Sequence, residues 1–193
     1  MHTVFPRLTY YKLLISGIIG NFVAKPAFPG KDSNSLPSIF DSKLKDEANG
    51  EIDLKAYRGK KILIVNTASR CSFTRQYKDL QQLQDTYKSS LVILAFPCND
   101  FGKQEQENDA GIAKFCEVNF GITFRVMKKI GIRLNAQSTL YNWLTNPTQN
   151  GWNRRLPQWN FWKYLLDENG RLIACLPSAV EPGSKLMHSL LNA

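Results

Sequence analysis

Cys71 stands alone in Thr67–Tyr77 (TASRCSFTRQY), just after the apolar run Lys61–Asn66 (KILIVN) and just before an amphipathic helical pattern. A thiol at a strand-to-helix turn lies near the positive end of the helix dipole, which favours the reactive thiolate. The local pattern is Cys-x-x-Thr, with Thr74 where a dithiol motif would carry a second cysteine. Such a site has one attacking sulfur, and a second thiol must come from elsewhere in the chain. The candidates are Cys98, Cys116 and Cys175, whose spacing fits neither a zinc site nor a dense disulfide framework. The only two histidines, His2 and His188, lie near opposite ends of the chain, which argues against a Cys-His catalytic pair and leaves no His-rich metal site.

The elements that must position Cys71 follow from periodicity. Phe73, Tyr77, Leu80 and Tyr87 share a stripe, with Leu83 beside it and Lys78, Asp79, Gln82 and Lys88 off it. That spacing predicts a helix. Leu91–Phe96 (LVILAF), bounded by Pro97, reads as a buried strand, so the cysteine opens a βαβ unit with a right-handed crossover. Upstream, Asn49-Gly50 marks a tight turn between Phe40–Lys45 and Glu51–Asp53, a small hairpin. Downstream, Asn108 or Asp109 caps a helix to about Phe120, with Ile112, Phe115, Cys116 and Asn119 on one face. A short helix over Ser138–Leu144 comes next. Phe161–Leu166, Asn169-Gly170 and Leu172–Leu176 form a hairpin, and Gly183–Asn192 closes the chain as a helix. This order predicts an α/β thioredoxin-like fold, a central mixed β-sheet flanked by helices, with an N-terminal β-hairpin.

The chain has 193 residues and a formal net charge of +9. The basic residues are scattered, and no aromatic-basic repeat or recognition helix accompanies them, so nucleic acid is not an expected partner. The scattered charge reads as a solvated basic surface, which leaves room for electrostatic attraction of a small acidic protein or an anionic thiol. Residues 1–37 differ from the rest: Arg7 and Lys12 precede Leu13–Val23 (LLISGIIGNFV), an uncharged run of 11 residues. This is too short to span a bilayer but suits a signal h-region or an uncleaved anchor. Lys25 and Pro26 interrupt any small-x-small cleavage site, and a merely apolar extension is the alternative. The expected organisation is an extension and linker over 1–37 and a folded domain over 38–193. Export or membrane anchoring through residues 1–24 is one expected location, the cytoplasm the other.

Three further segments join Cys71: Phe96–Glu105 (FPCNDFGKQE), Phe115–Phe124 (FCEVNFGITF) and Trp159–Tyr164 (WNFWKY). Together with NTASRCSFTRQY they resemble the glutathione peroxidase family, whose usual forms are Val-Asn-Val-Ala-Ser-x-Cys-Gly-x-Thr, Phe-Pro-Cys-Asn-Gln-Phe and Trp-Asn-Phe. The resemblance runs from about Ile39 to Pro182. It implies that Cys71 is the peroxidatic residue and that Gln104, Trp159 and Asn160 are its catalytic partners. Their amides and indole N–H are neutral donors, able to hold a thiolate and stabilise charge on a leaving oxygen without a histidine. Cys116 aligns with the resolving cysteine of the thioredoxin-dependent branch, a role that requires local unwinding of its helix. A buried core thiol on the apolar face is its other reading. Cys98 and Cys175 read as structural.

The short connection from Leu144 to Trp159 resembles the small, cysteine-using, largely monomeric branch of the family, which takes electrons from thioredoxin rather than glutathione. Ser72, Arg75, Asp100, Gln106-Glu107 and Arg125 depart from the family pattern without removing a proposed catalytic group. The resemblance thus implies a thiol peroxidase that reduces hydrogen peroxide and organic hydroperoxides, is regenerated by thioredoxin or glutathione, and needs no metal or organic cofactor. A redox sensor or relay passing a disulfide to a partner would use the same residues. A thioredoxin-fold binding module would carry an inert Cys71.

Overall fold

The computed structural model describes residues 25–30, 35–42, 53–133 and 138–193. Strand β1, Lys61–Thr67, is buried at every position. A strand buried on both faces must lie in the middle of a covered sheet, and its near-continuous apolar run is the sequence mark of that place. Ile62 and Ile64 enter one core layer with Trp162 and Tyr164. Leu63 and Val65 enter the other with Tyr77, Leu80 and Leu83.

Helix α1, Gln76–Thr86, leads to β2, Leu91–Pro97, which pairs in parallel with β1 from Lys61 opposite Leu91 to Thr67 opposite Pro97. This is the βαβ unit that the stripe and the two apolar runs predict. Helix α2 is Asp109–Phe120; Asn108 is its cap, accepting from the Gly111 N–H, and Gly121 ends it in the left-handed conformation. The two-residue strand β3, Arg125–Val126, pairs in parallel with β2. Ser138 caps α3, Thr139–Thr145, and the turn α4, Pro147–Asn150, follows with Pro147 in its first turn. Strands β4, Lys163–Leu166, and β5, Leu172–Leu176, form an antiparallel hairpin, and α5, Lys185–Asn192, closes the chain.

The sheet order is β3-β2-β1-β4-β5, with β4 antiparallel to β1. Tyr77, Leu80, Ile112, Cys116, Met187 and Leu191 bring α1, α2 and α5 to one face. Leu140, Tyr141, Trp143 and Leu144 of α3 cover the other, with Ile39, Phe40 and Leu54 from two 3₁₀ turns. This is the expected thioredoxin-like mixed sheet between helices.

Two boundaries differ from expectation. Strand β4 begins at Lys163 rather than Phe161, because Phe161 adopts a left-handed φ of 63° that no strand residue can hold. Phe40 and Asp41, expected to open the N-terminal hairpin, lie in a 3₁₀ turn, and residues 43–52 of that hairpin fall outside the described residues. Upstream of Ser38, Ala27 bridges Cys175 of β5 through two backbone hydrogen bonds of 2.9 Å. The apolar run 13–23 is outside the described residues, among which no helix is long and apolar enough to cross a membrane.

Candidate active site

β1 delivers the chain to Cys71 through a tight series of turns. The Thr74 hydroxyl donates to the Ala68 carbonyl at 2.7 Å and accepts the Cys71 N–H at 3.1 Å. Thr74 N–H returns to the Cys71 carbonyl at 3.0 Å, and three-residue turns continue to Tyr77. The regular helix begins only at Gln76, so Cys71 precedes it by more than a turn, and its sulfur accepts the Phe73 N–H at 3.5 Å. Cys71 is half-buried and packs against both core layers.

Two carbonyl-anchored loops close on this turn. In the first, Gly102 and Lys103 both take positive φ, 67° and 53°, and turn Gln104 back toward β1. A Cβ on Gly102 would meet the Trp159 ring at 3.2 Å, so a side chain there would press on Trp159 as well as strain the left-handed φ. The Gln104 carbonyl accepts the Arg70 N–H at 3.0 Å. The neighbouring Glu105 is buried, and its Oε2 accepts both the Ser69 N–H and the Ser69 hydroxyl at 2.9 Å. Burial pushes the Glu105 carboxyl above its usual pKa, while the Ser69 donors oppose that rise.

The second loop carries Trp159, Asn160 and Phe161. Asn66, at the end of β1, clamps it: Nδ2 donates to the Trp159 carbonyl and Oδ1 accepts the Trp162 N–H, both at 3.0 Å. The Asn66 carbonyl takes the Phe161 N–H at 2.6 Å. Asn160 is fully buried, and its Nδ2 donates to the Phe101 carbonyl at 3.3 Å and to Gln104 Oε1 at 2.9 Å. A carbonyl only accepts, so Phe101 forces the NH₂ of Asn160 toward it. That NH₂ in turn holds the Gln104 oxygen, leaving the Gln104 NH₂ as the group free to donate. Neither that NH₂ nor the Trp159 indole N–H has a hydrogen-bond partner among the described residues. Asn160 Nδ2 thus orients Gln104, while its Oδ1 is buried without a hydrogen-bond partner.

The other three thiols are buried. Burial pushes Cys98 up to about 12 and Cys116 and Cys175 up to about 11, so they stay protonated at neutral pH. Cys116 faces the helix layer beside the Tyr77 hydroxyl, which burial holds well above its usual pKa, with Cys116 adding to the rise. It sits near the end of α2, where the Gly121 and Ile122 N–H groups close on its carbonyl. The chain has no disulfide between Cys71 and Cys116 in this state.

The departures from the family pattern are engaged elsewhere. Arg75 pairs with Glu181 at 2.6 Å, and Arg125 donates to the Tyr57 hydroxyl at 3.3 Å. Asp100 accepts the Ile132 and Arg133 N–H groups, and Gln106 and Glu107 hold Arg70. Asn66, Thr74 and Glu105 also hold the site together, beyond the residues whose motifs mark them in the sequence. A lone amide directly after the apolar run 62–65 is the available signal for Asn66; Glu105 offers none, since a carboxylate in a loop reads as solvated.

A family model described as glutathione peroxidase matches residues 39–145. Glutathione peroxidase-like peroxiredoxin 2 of Saccharomyces cerevisiae is 40% identical over 148 residues, covering 76% of this chain and 91% of that protein. The crystal structure of Trgpx in its apo form superposes with a TM-score of 0.58 at 34% identity, over 80% of this chain and 93% of that one. That of T. cruzi GPX1 gives 0.56 at 30% identity, over 81% and 97%.

Proposed function

The chain belongs to the glutathione peroxidase family and is a thiol peroxidase, and we propose that Cys71 is the sulfur that reduces the hydroperoxide. The observation that carries this reading is the pair of unpartnered donors, on Gln104 and Trp159, in the loops that close on the one cysteine that is not buried. The Cys71 thiolate attacks the terminal peroxide oxygen, the O–O bond breaks, and the departing alkoxide or hydroxide takes a proton to leave as alcohol or water. Sulfur is oxidised by two electrons to a sulfenic acid. Gln104 and Trp159 donate to the sulfur and the leaving oxygen, and Asn160 fixes which face of Gln104 is presented.

Regeneration consumes a thiol reductant. We assign Cys116 as the resolving thiol: its sulfur attacks Cys71, a disulfide forms, and hydroxide leaves as water with the Cys116 proton. A thioredoxin-type dithiol then reduces the disulfide by exchange. Cys116 is buried inside a regular helix, so the last turns of α2 must open first, and their position next to the Gly121 stop makes that opening local. Residues 1–24 are the proposed export or anchoring segment, which fractionation of cells expressing the chain with and without them tests.

The direct test is peroxide consumption by the full chain with thioredoxin, thioredoxin reductase and NADPH. Turnover lost in both Cys71→Ser and Cys116→Ser supports the two-cysteine cycle. Turnover lost only in Cys71→Ser returns Cys116 to the core. A wild-type chain that oxidises once without turning over is a relay.

A further inference from the structure

Lys163 is buried completely, at 0% exposure, in β4. It stands between Trp162 and Tyr164, which enter one core layer, while Phe161 and Leu165 enter the other. An aliphatic side chain would pack there without desolvating an amine. What the amine does is specific: Nζ donates to the Phe161 carbonyl at 2.7 Å.

Phe161 holds a φ of 63°, where a side chain with a Cβ is strained. Such a residue persists only when its surroundings fix it. The backbone of Phe161 is gripped from both sides, its N–H by the Asn66 carbonyl at 2.6 Å and its carbonyl by Lys163. The residue before it is Asn160, whose NH₂ sets the direction of the Gln104 amide. Relaxation of Phe161 to negative φ would turn the 160–161 peptide and carry Asn160 off Gln104.

We propose that Lys163 is a positioning residue for the peroxidatic step, acting through the Phe161 carbonyl to hold Asn160 on Gln104. The role rests on the peroxidase reading above. Burial pushes the Lys163 ammonium down to about 7, opposed by the Glu181 carboxylate, and both the ammonium and the neutral amine can donate to the carbonyl. Glu181 is in turn paired with Arg75, so the charge that acts on Lys163 is tied to the segment between Cys71 and α1.

The test is a double-mutant cycle on the full chain, with Lys163→Met, Asn160→Ala and the two combined. Stopped-flow oxidation of the reduced protein by hydrogen peroxide gives the rate constant, and thermal unfolding is measured beside it. Lys163→Met is expected to slow oxidation by about tenfold or more, with the melting temperature unchanged or higher. The combined variant is expected to be no slower than Asn160→Ala alone, because the two act on one contact. Reduction of the disulfide by thioredoxin should proceed at the wild-type rate. A wild-type oxidation rate in Lys163→Met, or losses that multiply in the combined variant, would overturn the positioning role while leaving the peroxidase reading in place. An unreactive wild-type chain would overturn both. Should Lys163→Met fail to fold, Lys163→Gln enters the same cycle and is read in the same way.

Discussion

Asn160 Nδ2 lies 2.9 Å from Gln104 Oε1, and the Phe101 carbonyl on its other side decides which way both amides face. One backbone oxygen thereby determines that Gln104 presents N–H rather than C=O to the site. Asn160→Asp is the sharpest probe of this chain of orientation. A carboxylate cannot donate, so Gln104 would turn its NH₂ inward to reach it and present Oε1 to Cys71. Oxidation of Cys71 by hydrogen peroxide should then slow about 10²–10³-fold, the scale of a lost oxyanion donor. Stopped-flow rates equal to wild type would show that the amide direction is irrelevant.

Gly102 brings two demands together, a φ of 67° and a Trp159 ring atom 3.2 Å from the place of a Cβ. Gly102→Ala should cost about 1–3 kcal/mol of stability through backbone strain and should slow oxidation by displacing Trp159. Urea unfolding and the peroxide rate check the two effects separately. A stable variant with normal activity would mean that the loop tolerates both.

Stability should rise with pH between about 7 and 10.5 on account of Lys163, whose value falls from 10.5 to about 7 on folding. In that window the unfolded chain holds a proton that the folded chain lacks, so raising the pH favours the fold. The buried cysteines act oppositely. Cys98, Cys116 and Cys175 are raised from 9.0, so above about 9 the unfolded chain loses protons the folded chain keeps. A stability maximum between these limits is expected under reducing conditions. Lys163→Met should remove the rising limb and leave the falling one. Urea midpoints that rise equally with pH in both proteins would contradict the assignment.

Cys116→Ser should leave the first oxidation of Cys71 near its wild-type rate, because Cys116 is buried in the helix layer and is not among the donors that the Gln104 and Trp159 loops supply. The sulfenic acid should then persist and be captured by dimedone, and turnover with thioredoxin should fall to background. Rapid hydrogen exchange at 117–122 relative to 109–115 would mark the local opening of α2 that the wild-type cycle requires.

The parts of this site that were legible in the sequence are those written in local patterns. β1, β2 and β5 are short apolar runs bounded by breakers, and α1 and α2 carry a helical stripe. Cys71, Gln104, Trp159 and Asn160 stand in motifs that keep their order, and the structure brings the loops bearing them together. The arrangement among them was not legible, because it depends on contacts between distant residues. Asn66 reaches Trp159 across 93 positions, and Asn160 reaches Gln104 across 56. Nothing near Phe161 announces a left-handed backbone, which is imposed by Asn66 and Lys163, and so the strand was expected two residues early. Glu105 was invisible for the same reason: its Ser69 donors are 36 residues away. The expected N-terminal hairpin rests on Asn49-Gly50, outside the described residues.

In the proposed cycle Cys71 is the sulfur oxidised first and Cys116 the one that follows. The most direct measurement treats the reduced full chain with one equivalent of hydrogen peroxide, quenches by alkylation, and maps the peptides by mass spectrometry. A Cys71–Cys116 disulfide is expected, with Cys98 and Cys175 alkylated only after denaturation. Oxidation centred on Cys98 or Cys175, or Cys71 recovered fully alkylated, would contradict it.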